Sequence, residues 1–340
     1  MSRPACFLEK FVERPKHIEV QIVADSHGNI THLFERDCSV QRRFQKVVEV
    51  APAFGLADKV KQQLYKYALR ICKAVNYNNV GTVEFLVDPA GEIYFIEVNP
   101  RIQVEHTVTE MITGIDLIKT QIYIAAGFEL SDDEIALGPE HPRYQIGFAI
   151  QCRITTEDPD NDFKPDYGII SAYRSADGFG IRLDQGSVYT GVRISPFFDS
   201  MLVKVSAHST SLPKAAMKMS RALDEFRIRG VKHNVQFLQN IINHETFRKG
   251  EATVDFIKEH PELFQYKPRR DRATKLLRFI GETIVNGNPD VKVKIQDKVF
   301  EKPVVPDFDR TAAYPKGTKN LLTELGPEGL ATWLKNEKKI

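Results

Sequence analysis

Between Glu92 and His106 polar and apolar positions first alternate and then crowd together. Ile93, Phe95, Glu97 and Asn99 alternate with Tyr94, Ile96 and Val98 at period two, which predicts a strand. Pro100 keeps Asn99 extended, with Arg101 close behind. Upstream, Gly81 to Val87 reads as a second short strand, joined to the first by the turn Asp88-Pro-Ala-Gly91. If Val87 pairs with Glu92, Glu84 lies opposite Phe95 and diagonally beside Glu97, on one face. Diagonal neighbours sit roughly 7–8 Å apart at the backbone. Two carboxylates so placed can share a hard divalent cation when a phosphate supplies further oxygens. Two glutamates alone would read as a solvated hairpin face. Arg101, Gln103, Glu105 and His106 following within six residues make the stretch a candidate site.

The same periodicities order the rest of the chain. Phe7 to Phe11 reads as a strand, and His17 to Ala24 alternates cleanly. Asp25 to Asn29 is a hairpin turn leading to Ile30–Phe34. Glu35 to Lys46 is charged and lacks a period, so it reads as a loop. Its Arg36, Arg42, Arg43 and Lys46 outnumber Glu35 and Asp37, which also suits an anionic ligand. From Asp58, apolar Val60, Leu64, Ala68, Ile71 and Cys72 keep helical spacing, and Thr107 to Ala126 reads as a second helix ended by Gly127. A new, β-rich unit begins near Gly147, with Phe148–Ile154, Asp184–Tyr189 and Phe197–Lys204 extended. Leu212–Phe226, Val231–Asn243, Arg272–Val285 and a segment from Gly317 read as helices. Ala216-Met-Lys-Met219 matches the tetrapeptide around biotinylated lysines, but its neighbours keep helical spacing, so Lys218 sits mid-helix.

Composition changes this picture little. A length of 340 residues suggests about two or three domains. Lys and Arg number 47 against 45 Asp and Glu, and the net charge of +2 offers no bulk attraction for nucleic acid or a membrane surface. No apolar run approaches about 18 residues, and no signal-peptide pattern opens the chain. Cys6, Cys38, Cys72 and Cys152 are scattered, as reduced thiols of a cytoplasmic protein would be. Both ends read as cut, as in a piece of a longer enzyme.

The string E-V-N-P-R-I-Q-V-E-H-T-V-T-E (97–110) resembles the C-terminal half of a biotin carboxylase, an ATP-grasp enzyme. The resemblance continues through R-D-C-S-V-Q-R-R-F-Q-K-V-V-E-V-A-P (36–52), G-F-A-I-Q-C-R-I-T-T-E-D-P (147–159) and F-R-I-R-G-V-K (226–232). D-R-A-T-K-L-L (271–277), V-N-G-N-P (285–289) and G-T-K-N-L-L-T-E-L-G-P-E-G (317–329) resemble the linker region of pyruvate carboxylases. The implied fold class is α+β: the C-terminal half of an ATP-grasp fold (1–146), the small β-rich biotin carboxylase C-terminal domain (147–266), and a mixed linker toward a carboxyltransferase domain (267–340).

The resemblance also implies roles. Glu84, Glu97 and Asn99 match the Mg2+ (or Mn2+) site, and Arg101, Gln103 and Val104 the bicarbonate pocket. Glu105 matches the base that takes the bicarbonate proton, and Lys46 a lysine facing bicarbonate and phosphate. Glu9 and Lys10 match the hinge at adenine, and His17 and Gln41 match residues near the ATP ribose. Arg153 matches the arginine that stabilises the biotin enolate, and Arg227, Arg269 and Arg272 match arginines of an acetyl-CoA site. Phe44 stands where the family usually has His, and His233 where it usually has Thr. The implied activity is ATP- and bicarbonate-dependent carboxylation of biotin carried on another domain, within a homo-oligomer that converts pyruvate to oxaloacetate. Lacking a glycine-rich phosphate lid, the 340-residue chain alone is expected to be inactive. The competing readings are an acetyl-CoA or propionyl-CoA carboxylase and a non-catalytic binding or dimerisation module.

Overall fold

The structure is a computed structural model that describes residues 9–141, 143–186, 188–266 and 272–287. The chain divides into two compact units, residues 1–268 and 269–340. The first is organised by an eight-stranded antiparallel sheet. Its strands are β1 (Lys16–Ala24), β2 (Ile30–Arg42), β3 (Gln45–Ala51), β4 (Asn79–Val87), β5 (Ile93–Asn99), β6 (Phe148–Thr155), β7 (Ile181–Gln185) and β8 (Met201–Ser209). They run in the order β7-β8-β6-β3-β2-β1-β4-β5, so the strand after Gly147 joins the same sheet as the central hairpin.

The two faces of this sheet have opposite chemistry. On one, Ile18, Val20 and Ile22 of β1 and Val83 and Phe85 of β4 pack against Leu64, Tyr65, Ala68 and Cys72 of α1 (Asp58–Ala74). Further along the same sheet, Ile150, Cys152 and Ile154 of β6 and Val203, Val205 and Ala207 of β8 join the core beneath two later helices. These are α4 (Leu212–Glu225) and α5 (Val235–Asn243), which contribute Ala215, Met219, Leu223, Phe237 and Ile241. Alternation sends His17, Glu19 and Gln21, Thr82 and Glu84, and Gln151 and Arg153 to the opposite face. That face is also buried. Over it lies α2 (His106–Thr113), whose Thr107 hydroxyl donates to the Gln151 side chain.

Several elements differ from the sequence expectations. Residues 9–15 are not in a strand; Lys16 opens the first one, and Phe7 lies outside the described residues. Glu35 to Lys46 is not a loop. β2 continues to Arg42, a two-residue turn follows at Arg43 and Phe44 (φ 50° and 65°), and β3 starts at Gln45. The period was hidden because buried Glu35 and Arg36 occupy positions where apolar residues would have marked the strand. The helix expected over 107–126 is two: α2 ends at Gly114 (φ 74°), and Asp116 caps α3 (Leu117–Ala125) by accepting from Lys119 N at 2.8 Å. The extended stretches read at 184–189 and 197–204 become β7 and β8 with shifted ends, and α5 begins at Val235 rather than Val231. Two further short helices, α6 (Glu245–Arg248) and α7 (Phe256–Glu259), follow α5. In the second unit α8 (Arg272–Asn286) is as read, while the segment from Gly317 lies outside the described residues. Cys38, Cys72 and Cys152 are buried and unpaired; Cys6 lies outside the described residues.

Lys218 sits within α4, where its ammonium donates to the His208 carbonyl at 2.7 Å and lies 5.0 Å from the Phe179 ring centroid. A biotin ligase needs the lysine at a free hairpin tip. Incubation of the chain with biotin, ATP and a biotin protein ligase should therefore leave it unreactive to streptavidin; a biotinylated Lys218 peptide in the mass spectrum would contradict this placement.

Candidate active site

The central hairpin brings its two acids face to face. Val87 pairs with Ile93, not with Glu92, and Phe85 with Phe95. One extra residue on β5, Ile96, then shifts the register so that Glu84 pairs directly with Glu97 rather than diagonally. The Asn99 amide nitrogen donates to both, at 2.9 Å to Glu84 and 3.0 Å to Glu97. Glu84 is 4% exposed, whereas Glu97 faces solvent. The two acids therefore differ in environment though paired in register.

Lys46 organises the buried side of the site. Its ammonium donates to Glu84 at 2.8 Å, to Glu105 at 2.9 Å, and to Glu19. Glu105, just before α2, receives a second cation: Arg153 Nη2 lies 3.0 Å from its other oxygen, while Arg153 Nε donates to Glu49 at 2.6 Å. Arg101, matched to the bicarbonate pocket, does not donate to Glu105. Its guanidinium instead donates to Asn99 Oδ1 and the Ile102 carbonyl, both at 3.2 Å, and the second cation on Glu105 is Arg153.

Beneath these lies Arg36, fully buried. It donates to Glu19 at 3.0 Å, Gln21 at 2.6 Å, Thr109 and Thr82 at 3.1 Å, and Gln103 Oε1 at 2.9 Å. Holding the Gln103 oxygen this way turns its amide nitrogen to Glu84, at 2.7 Å. On the other side Gln41 Nε2 can only donate, so His17 Nδ1 accepts from it at 2.9 Å and the His17 proton sits on Nε2, 2.8 Å from Glu84 Oε2. Val104 is bound through its carbonyl, which accepts from Lys204 at 3.1 Å. Glu9 and Lys10 are exposed beside the hairpin, with Lys10 donating to the Tyr94 hydroxyl at 2.8 Å.

Buried Glu19, Glu49, Glu84 and Glu105 thus face Arg36, Lys46 and Arg153. Burial alone would raise every carboxyl. At Glu84 it is outweighed by the His17 imidazole 2.8 Å away and the Lys46 charge, which hold the group at about 2. At Glu19 the Arg36 and Lys46 charges likewise win, and the carboxyl lies below its ordinary value. Glu49 goes the other way: burial, with the neighbouring Glu105 charge, exceeds the pull of Arg153. The carboxylates around Lys46 keep it protonated well above the usual lysine range.

Glu19 and Glu49 were not among the expected site residues, and Arg36 was expected only as one of four cations that could meet an anionic ligand. The signal for Glu19 was present, because His17, Glu19 and Gln21 form a polar stripe opposite Ile18, Val20 and Ile22. Among the acyl-CoA candidates Arg227 is exposed on the short strand Arg227–Arg229; Arg269 lies outside the described residues, and Arg272 opens α8.

Residues 1–133 match the family described as carbamoyl-phosphate synthase L chain, ATP binding domain, and residues 151–259 match the biotin carboxylase C-terminal domain. These define the class: ATP-grasp-type biotin carboxylase domains. Within it, the chain belongs to the pyruvate carboxylase family. It is 51% identical over 335 residues to pyruvate carboxylase of Staphylococcus aureus, covering 98% of this chain and 29% of that protein. It is also 52% identical to the mitochondrial enzyme of Homo sapiens, covering 98% of this chain and 28% of that one. The complete pyruvate carboxylase structure from Rhizobium etli superposes with a TM-score of 0.77 at 49% identity, covering 99% of this chain and 33% of that one. The biotin carboxylase domain dimer of Hydrogenobacter thermophilus 2-oxoglutarate carboxylase, in complex with MgADP, ADP and bicarbonate, gives 0.72 at 43% identity, covering 76% and 56%.

Removing Lys46 should be costly, because it leaves buried carboxylates without their shared cation. Lys46→Met is expected to lower unfolding stability by about 3–5 kcal/mol, read by urea denaturation. It should also move the Glu84 carboxyl upward in a carbon-13 NMR titration. In the unsubstituted chain the Glu84 contribution is present above pH 4.5, the ordinary value, and is lost as pH falls toward 2. A Lys46→Met stability indistinguishable from wild type across that window would contradict the assignment.

Proposed function

We propose that this chain supplies the metal-acid and bicarbonate half of a biotin carboxylase centre, serving a pyruvate carboxylase that makes oxaloacetate from pyruvate. The observation that carries the reading is Lys46: one ammonium joins Glu84, on the nucleotide side, to Glu105, on the bicarbonate side. MgADP and bicarbonate in the Hydrogenobacter thermophilus domain support it.

The donor set suits a hard dication. Glu84 Oε1 is saturated by Lys46, Asn99 and Gln103, while Oε2 has His17 alone and keeps a lone pair available; Glu97 is exposed. Glu84 and Glu97, steadied by Asn99, would hold Mg2+ or Mn2+ through oxygen. When bound, the ion would offset the charge of the phosphate oxygens. Arg101, the Gln103 amide and the Val104 N–H hold bicarbonate. Glu105 takes its proton as its oxygen attacks the terminal phosphorus of ATP, giving ADP and carboxyphosphate. Carboxyphosphate releases CO2 and phosphate, the phosphate takes the N–H proton of biotin, and the biotin nitrogen adds to CO2. Arg153 stabilises the negative biotin oxygen. Glu9 and Lys10 meet adenine, and His17 and Gln41 the ribose side of ATP. Phe44, 96% exposed at its turn, offers no imidazole to that ribose.

The proposed division is 1–146 for the metal and bicarbonate half, 147–266 for the C-terminal domain, and 267–340 for the linker. The carboxybiotin carrier would approach Arg153. Acetyl-CoA would meet Arg227, Arg269 and Arg272, in a homo-oligomer.

A chimaera tests this reading: the 340 residues replace the matching stretch of the Staphylococcus aureus enzyme. It should cleave ATP in a bicarbonate-dependent way, whereas the 340-residue chain alone should not. Glu84→Gln and Glu97→Gln should each lower that cleavage roughly 100-fold, the order seen when one charge-stabilising group is removed. Near-normal cleavage in both would end the metal assignment. Arg153→Gln should reduce carboxylation of free biotin more than ATP cleavage, with a smaller ATPase loss through its contact to Glu105. Equal losses would count against a role at the biotin end.

A further inference from the structure

On the helical side of the sheet, three side chains converge that the carboxylation site does not use. His244 lies between α5 and α6, and its Nδ1 accepts from Thr246 N at 3.2 Å. That contact turns Nε2 toward Glu262 Oε1, 3.1 Å away. His260 Nδ1 approaches the same oxygen at 2.8 Å. The backbone holds this convergence: His260 ends α7, and Pro261 opens the 3-10 turn Pro261–Phe264 that carries Glu262. The imidazole centroids are 4.2 Å apart, and both rings lie against Phe256, at 5.3 and 5.0 Å. One ligand atom from each residue falls within 4.8 Å of the others.

We propose that His244, His260 and Glu262 form a binding site for a borderline transition-metal dication, Zn2+ foremost, with water in the fourth position. Metal–ligand distances of about 2.0–2.2 Å make a tetrahedral edge of roughly 3.3–3.6 Å. Two edges already measure 3.1 and 2.8 Å, so the side chains need to open by only a fraction of an ångström. Two imidazoles and one carboxylate favour zinc, copper or nickel over magnesium, which separates this site from the all-oxygen one at Glu84 and Glu97. Solvent reaches the site because the Glu262 side chain is 50% exposed. On binding, the proton of each ligating imidazole nitrogen moves to the other ring nitrogen. For His244 this gives up the long bond from Thr246 N. The bound ion would fasten α6 to the turn at 261–264, close to where the first unit ends.

The test uses the 340-residue chain stripped with chelator, titrated with Zn2+ in a calorimeter and with Co2+ in the visible spectrum. One equivalent of Zn2+ should bind and raise the melting temperature, and Co2+ should give the intense bands of four-coordinate geometry. Glu262→Gln and His260→Asn should each weaken Zn2+ about tenfold or more and abolish those bands. Their metal-free melting temperatures should stay near wild type, while Glu97→Gln should bind as wild type does. The site is refuted by binding weaker than about 1 mM, by unchanged affinity in the first two variants, or by loss only in Glu97→Gln, which would put the zinc among the carboxylation acids.

Discussion

A single ammonium shared by three carboxylates is the constraint on which the site depends. Four buried acids on one face of a sheet would repel one another and resist ionisation. Lys46, seconded by Arg36 and Arg153, makes ionisation of most of them compatible with burial. The same charges fix geometry, since each oxygen that accepts from one of these cations loses rotational freedom. Glu49 is the acid whose carboxyl is pushed up, because burial there, with the Glu105 charge, exceeds the pull of Arg153.

The fold makes such a cluster affordable by using the sheet asymmetrically. β1 is buried on both faces, yet only one face is apolar. The helices α1, α4 and α5 supply hydrophobic burial on that side, so stability is concentrated away from the carboxylation site. The opposite face is free to be polar, because its side chains satisfy one another. Arg36 spends its N–H groups on five side chains from β1, β4, α2 and the loop before it.

Where side-chain chemistry and period agreed, the chain was readable. The α1 stripe, the β1 alternation and the β4–β5 hairpin all followed from spacing, and the hairpin pointed to Glu84, Glu97 and Asn99 as neighbours. Reading stopped where burial and polarity coincide. The second half of β2 looked like a loop because Glu35 and Arg36 are buried by ion pairs rather than by oil-like contacts. The break between α2 and α3 was written in Gly114 and Asp116, but the apolar residues on either side kept a helical spacing that masked it. The contact between Arg153 and Glu105 joins residues far apart in the chain, and no local pattern encodes such a meeting.

The extra residue at Ile96 has a consequence for how this strand can vary. Beyond the bulge the chain has spent one residue without advancing along its partner, and every side chain after it is aimed by that count. Glu97 and Asn99 can be exchanged singly, each at its own local cost. Deleting Ile96 would close the bulge and still set Glu97 opposite Glu84, whereas deleting Val98 would carry Asn99 to the other face. Along this strand the chain should therefore tolerate a lost residue at the bulge far better than one beyond it.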